Sequence, residues 1–298
     1  MTKRIVVAGS SGLIGSALVE SLQARGDDVV RLVRTRGASG GSLWDPASGQ
    51  LESSVLAGAN AVVSLNGTGI GDKRWSPQRK ELLRSTRTAP VGLLARTIAT
   101  MDGPPSVLVT GSATGFYGDT GNAVVDETAG VGDDFLARLC ADWEHAAAPA
   151  LDAGIRVASA RTGIVLAASG GALSPLLPLF NFGLGGPIGK GEQWWSWISL
   201  EDEVNALLHI IDDDVSGPVN LVAPQPVRQK DFAKALGRQL GRPAVLPAPK
   251  FAVKARLGKE LAEAIGFTSQ RVQPCVLERT GFSFKHQDVA TALAAVLD

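Results

Sequence analysis

Apolar positions along the chain follow two periods in alternation. Short β-branched runs at Arg4–Ala8, Asp28–Val33, Ala61–Leu65, Ser106–Thr110 and Arg156–Ala160 read as strands, with a further short one at Ser42–Trp44. Between them lie longer stretches of helical period, which predict helices over Leu13–Arg25, roughly Gln78–Met101 and about Asp133–Leu151. Gly26 is placed to end the first of these helices. Strands that alternate with helices predict an α/β fold, a doubly wound parallel sheet of the Rossmann kind, mainly within residues 1–162.

The pattern changes after Thr162. Gly170-Gly171, Gly183, Gly185-Gly186, Gly189 and Gly191 crowd into a loop-rich stretch with Trp194, Trp195 and Trp197. Loops of this kind cover ligand sites on rigid scaffolds; the alternative is a surface excursion whose tryptophans plug the core. Helical segments return from Leu200, a small strand pair is expected to include Val219–Val222, and Gln270 to Asp298 reads as a strand-and-helix cap. Residues 163–298 are therefore expected to form mainly a smaller C-terminal substrate lobe, with segments returning to the sheet.

Composition narrows the function classes. Hydrophobic residues make up 45% and charged residues 19%, enough for a substantial core. Lys plus Arg and Asp plus Glu are both 29, so no basic excess exists for a nucleic-acid backbone or an anionic membrane. Cys140 and Cys275 make no disulfide framework, which fits a reducing compartment. Neither they nor His145, His209 and His286 stand at metal-binding spacing, so no metal is expected. Lys3-Arg4 before an apolar run imitates a signal peptide, but Gly9 cuts the run and no cleavage pattern follows. The expectation is a soluble cytoplasmic protein, with a small-molecule substrate, no nucleic-acid or membrane partner, and a homodimer as an allowed assembly.

The most specific local signal is Gly9-Ser10-Ser11-Gly12-Leu13-Ile14-Gly15, set between the first strand and the first helix. Gly9 permits the tight turn, Gly12 lets backbone approach a pyrophosphate, and Gly15 allows close helix–strand packing. Free N–H groups and the positive helix end then favour the phosphates of a dinucleotide. About 20 residues further on, NAD-selective sites carry an acid for the ribose hydroxyls. This chain has Val33-Arg34-Thr35-Arg36 there. A guanidinium can bind a 2′-phosphate that a carboxylate would repel, so NADP(H) is the expected cofactor and NAD(H) the alternative. Arg34 is the preferred phosphate ligand and Arg36 the reserve; either is otherwise a solvated loop charge.

The Gly-x-x-Gly-x-x-Gly spacing resembles the extended short-chain dehydrogenase/reductases, the superfamily of UDP-galactose epimerase. Trp44-Asp45-Pro46, Lys73-Arg74-Trp75, Ser112 to Gly118, Trp143-Glu144, Gly185-Gly186-Pro187-Ile188-Gly189 and Gly281-Phe282 narrow the likeness. Together they resemble the atypical epimerase family protein group (the YfcH type), over essentially the whole chain. The resemblance implies that Asp45 lies near the adenine, that Leu65-Asn66-Gly67 runs beneath the adenosine ribose, and that Ser112 faces the nicotinamide. Asp45 is otherwise a turn residue before Pro46, and Asn66-Gly67 an ordinary turn after a strand. Arg74, with Lys73, would reach cofactor or substrate phosphates, or else sit in a solvated loop.

One departure from that superfamily bears on mechanism. Its working members pair Tyr and Lys as Tyr-x-x-x-Lys on one helix face, the tyrosine transferring the proton. This chain has a single tyrosine, Tyr117, followed four residues later by Gly121, and the nominal pair positions hold Leu136 and Cys140. Ser112 and Tyr117 are left as the catalytic candidates, Tyr117 either donating a proton or walling the pocket. Lys190, Trp194 and Trp195 are the candidates for substrate contact, the lysine toward a phosphate and the indoles toward a sugar or base. The functional expectation is an oxidoreductase or epimerase acting on a small polar or nucleotide-linked substrate. A non-catalytic NADP(H)-binding sensor or scaffold is the alternative.

Overall fold

The computed structural model describes residues 2–35 and 41–297. Its first half runs β1 (Arg4–Ala8), α1 (Leu13–Ala24), β2 (Asp28–Val33), β3 (Gly41–Leu43), β4 (Ala61–Ser64), α2 (Pro77–Ala99) and β5 (Val107–Ala113). It continues with β6 (Val124–Val125), α3 (Phe135–His145), α4 (Ala148–Asp152), β7 (Arg156–Thr162), β8 (Ile164–Leu166), α5 (Leu177–Asn181), β9 (Trp194–Trp195) and β10 (Trp197–Ser199). The remainder is α6 (Leu200–Asp212), β11 (Gly217–Leu221), β12 (Val227–Arg228), α7 (Gln229–Gln239), α8 (Lys250–Leu257), α9 (Lys259–Ala262), β13 (Arg271–Val272), α10 (Cys275–Arg279) and α11 (Val289–Leu297).

Seven parallel strands form the central sheet in the order β11-β7-β5-β4-β1-β2-β3. Ile5 is paired on one side with Val29 and on the other with Ala61. The chain leaves β1 toward β2 and β3, then crosses back to place β4 on β1's other edge. That reversal opens a crevice at the carboxyl ends of β1 and β4, the usual ligand position in such sheets. Successive side chains point to opposite faces, so each strand feeds two cores. Ile5, Val7, Val63 and Val109 pack with residues of α1 and α6, whereas Val6, Val62 and Leu108 pack with α2 and α4. A third core of Leu166, Phe180, Trp197, Phe232 and Leu293 holds the C-terminal lobe.

Two elements differ from the sequence expectation. The helix expected over about Asp133–Leu151 is two helices, α3 and α4, divided just before Pro149. A proline lacks the N–H that a continuing helix requires. The strand expected in a small pair around Val219 instead extends the central sheet, with Val219 opposite Ala160 in parallel register. The cap beyond Gln270 is present as β13, α10 and α11. Among the described residues no helix is long and apolar enough to cross a membrane.

Candidate functional site

The turn from β1 into α1 is built by two glycines that the fold itself requires. Gly9 has φ of 81°, and a Cβ there would lie 2.6 Å from the Leu65 carbonyl carbon. A Cβ at Gly15 would collide with the Gly9 carbonyl. Gly12 is different. The nearest protein atom to a Cβ at Gly12 is the Gly9 oxygen at 3.4 Å, ordinary contact, and its φ of −79° suits any residue. The room at Gly12 is on the open side of the turn, where no side chain caps α1. Leu13 and Ile14 turn inward onto the sheet core.

Around this turn lies a crevice of about 300 Å³, lined by Ser10, Ser11, Arg31, Arg34, Leu65 and Asn66 together with the glycines Gly9, Gly12 and Gly67. Among the described residues no carboxylate lines it. Arg31 was not singled out from sequence. It sits half-buried on β2, and its Nε donates to Ser10 Oγ at 3.1 Å. A cation inside an apolar strand was the available signal. Arg34 is exposed and also borders an adjoining hollow with Asp45 and Gly67. Arg36 lies outside the described residues.

Asp45 borders that hollow, but its carboxylate is engaged by its own turn. Ser48 Oγ donates to it at 2.7 Å and the Ala47 amide at 3.0 Å. These bonds, Ser48's foremost, hold it below the usual carboxylate range. Asn66 Oδ1 accepts from Ser64 Oγ at 3.2 Å. Arg74 departs from its expected place. Its guanidinium donates to the Ala255 and Arg256 carbonyls at the end of α8 and does not line the crevice. Lys73 is exposed.

A second cavity, about 240 Å³, lies where the ends of β5 and β7 meet α3 and the lobe. Ala113, Thr114, Thr162, Leu136, Cys140 and Trp194 are among its walls. The two nominal Tyr–Lys positions thus face the cavity without acid–base groups. Burial pushes the Cys140 thiol up to about 12, so it is no thiolate nucleophile near neutrality. Thr114 Oγ1 donates to Gln270 Oε1 at 2.8 Å, and Thr162 Oγ1 to Glu203 Oε1 at 2.8 Å. Glu203 is fully buried, and that burial pushes its carboxyl up to about 8.

Ser112 and Tyr117, the residues expected to carry catalysis, do not line this cavity. Ser112 and Arg161 are register partners on one face of the sheet, and Ala113 and Thr162 are partners on the other. The cavity takes the second pair. Ser112 Oγ donates to Glu144 Oε1 at 2.7 Å, and Arg161 clamps both Glu144 oxygens, Nε at 2.8 Å and Nη2 at 2.9 Å. Arg161 Nη1 also donates to the Tyr117 hydroxyl at 3.0 Å, which donates onward to Asn220 Oδ1 at 2.7 Å. Burial pushes the phenol up to about 12, away from the range of a useful acid. Tyr117→Phe is therefore expected to cost about 1–3 kcal/mol of stability by leaving buried partners unpaired, with turnover little changed. Denaturant titration measures the first. A fall in turnover on the order of 100-fold at unchanged stability would return the phenol to the chemistry.

The substrate candidates are scattered. Lys190 is exposed and does not line the cavity. Trp195 is buried 5.1 Å from Phe232 in the lobe core while reaching the cavity wall. Trp194 lines the cavity, but its ring is already met by the guanidinium groups of Arg228 at 4.2 Å and Arg271 at 4.3 Å. Gln270, expected from sequence only as the start of the C-terminal cap, does line it.

The chain is similar in sequence and in fold to known proteins. An epimerase family protein of Mycobacterium leprae is 45% identical over 97% of this chain and 94% of its own length. The crystal structure of the human epimerase family protein SDR39U1 (isoform 2) with NADPH superposes with a TM-score of 0.91 at 33% identity, covering 99% of each chain. A nucleoside-diphosphate sugar epimerase from Corynebacterium glutamicum gives a TM-score of 0.82 at 37% identity, covering all of this chain and 58% of that one. Residues 248–296 match a domain of unknown function, DUF1731. Residues 5–222 match the NAD dependent epimerase/dehydratase family, and the chain belongs to that family.

Proposed function

We propose that the chain binds NADP(H) in the Gly9–Gly15 crevice and uses it to oxidise, reduce or epimerise a small polar or nucleotide-linked substrate held in the adjoining cavity. The observation that carries the cofactor choice is the crevice wall, where Arg31 and Arg34 stand and no carboxylate does among the described residues. A 2′-phosphate gains charge-assisted hydrogen bonds from such a wall, and NADH has no group to use them. The NADPH in the crystal structure of the human relative supports the same choice. Hydride transfer is chemistry supplied by the nicotinamide; the chain positions the partners and shields them from water. Thr114, Thr162 and Gln270 are among the hydroxyl and amide groups lining the cavity; the two threonine hydroxyls donate to Gln270 and Glu203 and keep lone pairs that can accept from a substrate hydroxyl.

The sensor reading draws on a different observation. The cavity walls carry no Tyr–Lys pair, and Ser112 and Tyr117 are committed to a buried network behind them. One experiment separates the two readings. Purified protein is mixed with NADPH and with pools of carbonyl compounds and nucleotide sugars, following NADPH absorbance and product epimers. Consumption of one pool is the expected result. Tight NADPH binding with no pool consumed would favour the sensor.

A further inference from the structure

Arg87 is a buried cation that neither lines the cofactor crevice nor bonds to the buried network of Ser112 and Tyr117. It projects from α2, is 7% exposed, and is the one charged residue among those lining the 240 Å³ cavity. Its guanidinium lies 5.1 Å from the Trp143 ring centre and under the Leu65–Gly67 loop, where a Cβ on Gly67 would come within 2.9 Å of Cζ. Nη1 donates to the Leu83 carbonyl and Nη2 to the Thr68 carbonyl, both at 3.0 Å. A guanidinium carries five N–H donors, so three are left over. Among the described residues no carboxylate pairs with it. Burial pulls its pKa down to about 10, with the neighbouring Arg79 adding repulsion, yet it stays charged at neutral pH. A buried cation without a counter-ion is costly, and two carbonyl contacts offset only part of that cost.

We propose that Arg87 is the anion ligand of this cavity, and that the substrate is a small carbonyl compound carrying a carboxylate or phosphate bound by its free N–H groups. The inference rests on the cavity being the substrate site, and it names the substrate class. A substrate anion is favoured over a cofactor phosphate because Arg87 lines the cavity with Leu136, Cys140 and Trp143. It does not line the crevice at Gly9–Gly12, which has Arg31 and Arg34 of its own. Arg87 also stands beside Cys140, the nominal lysine position. The cation missing from α3 is thus supplied to the same cavity from α2.

The test is calorimetric binding to protein saturated with NADP+, using oxamate, inorganic phosphate and the uncharged isostere oxamide. Oxamate or phosphate is expected to bind as a ternary complex, with oxamide at least about 10-fold weaker. Arg87→Met should weaken the anion about 10- to 150-fold at unchanged NADPH affinity. Arg87→Lys, which keeps the charge but loses the planar fork, should fall between and serves if the methionine variant does not fold. Equal binding of oxamate and oxamide, or anion affinity unaffected by both variants, overturns the proposal. So does competition of the anions with NADPH that Arg87→Met removes, which would assign Arg87 to the cofactor. The assay needs no turnover, so anion binding in a protein that reduces nothing would leave this site standing and remove only the enzymatic reading.

Discussion

Gly12→Val is expected to abolish NADP(H) binding and to leave a folded protein. Three glycines stand in the turn, and their neighbours give them different duties. Gly9 and Gly15 are required by the protein's own backbone, because a Cβ at either would strike Leu65 or Gly9. A valine at either position is therefore expected to unfold the turn, and would say little about a ligand. Gly12 has no such conflict, with an ordinary φ and 3.4 Å to the nearest protein atom. Its side chain would project into the space where a pyrophosphate meets the start of α1. Loss of that approach removes several kcal/mol, on the order of 100-fold or more in affinity. Folding should lose less than about 1 kcal/mol, since only a capping position is altered. Circular dichroism and thermal melting report the fold, and calorimetry reports the binding. A folded Gly12→Val that binds NADPH as the parent does would place the cofactor elsewhere.

Arg161→Met is expected to be strongly destabilising. Arg161 is 4% exposed and donates three hydrogen bonds at once, tying Glu144 on α3, and Tyr117 after β5, to strand β7. It also lies 3.5 Å over the Phe116 ring. Removing it leaves the largely buried Glu144 carboxylate with Ser112 as its remaining side-chain donor. Breaking one side of a buried pair costs about 3–5 kcal/mol, a large part of a typical domain's margin. The expected readout is a large drop in denaturant midpoint at unchanged m-value. Because Glu144 is then the source of the penalty, adding Glu144→Gln should recover part of it, a coupling that a double-mutant cycle measures. A loss below about 1 kcal/mol would mean the network is held by packing rather than by this pair.

The sheet and the glycine turn were legible because each rests on local information. Apolar runs separated by helical periods need only neighbours in sequence, and Gly9 to Gly15 carries its own geometry. What sequence did not reveal depends on parity and distance. Ser112 and Ala113 differ by one residue, yet a strand sends them to opposite faces, and nothing in the motif says which face holds the cavity. Tyr117 looked available because it follows β5; its partners Asn220 and Arg161 stand 103 and 44 residues away. Arg74 was read toward a phosphate and instead holds carbonyls about 180 residues on, at the end of α8. Arg87 carries no signal in the sequence, standing between Thr86 and Thr88 within a helical segment. Only the packing of α2 beneath the Leu65–Gly67 loop buries it.

A 2′-phosphate-binding crevice is the centre of the proposed function, and titration calorimetry of NADPH against NADH tests it most directly. The wild type should prefer NADPH by about 1–3 kcal/mol, the worth of charge-assisted contacts to a phosphate. Arg34→Asp should narrow or reverse the preference, since a carboxylate there would repel the phosphate and accept from a ribose hydroxyl. Equal affinities of the wild type for the two cofactors would contradict the assignment.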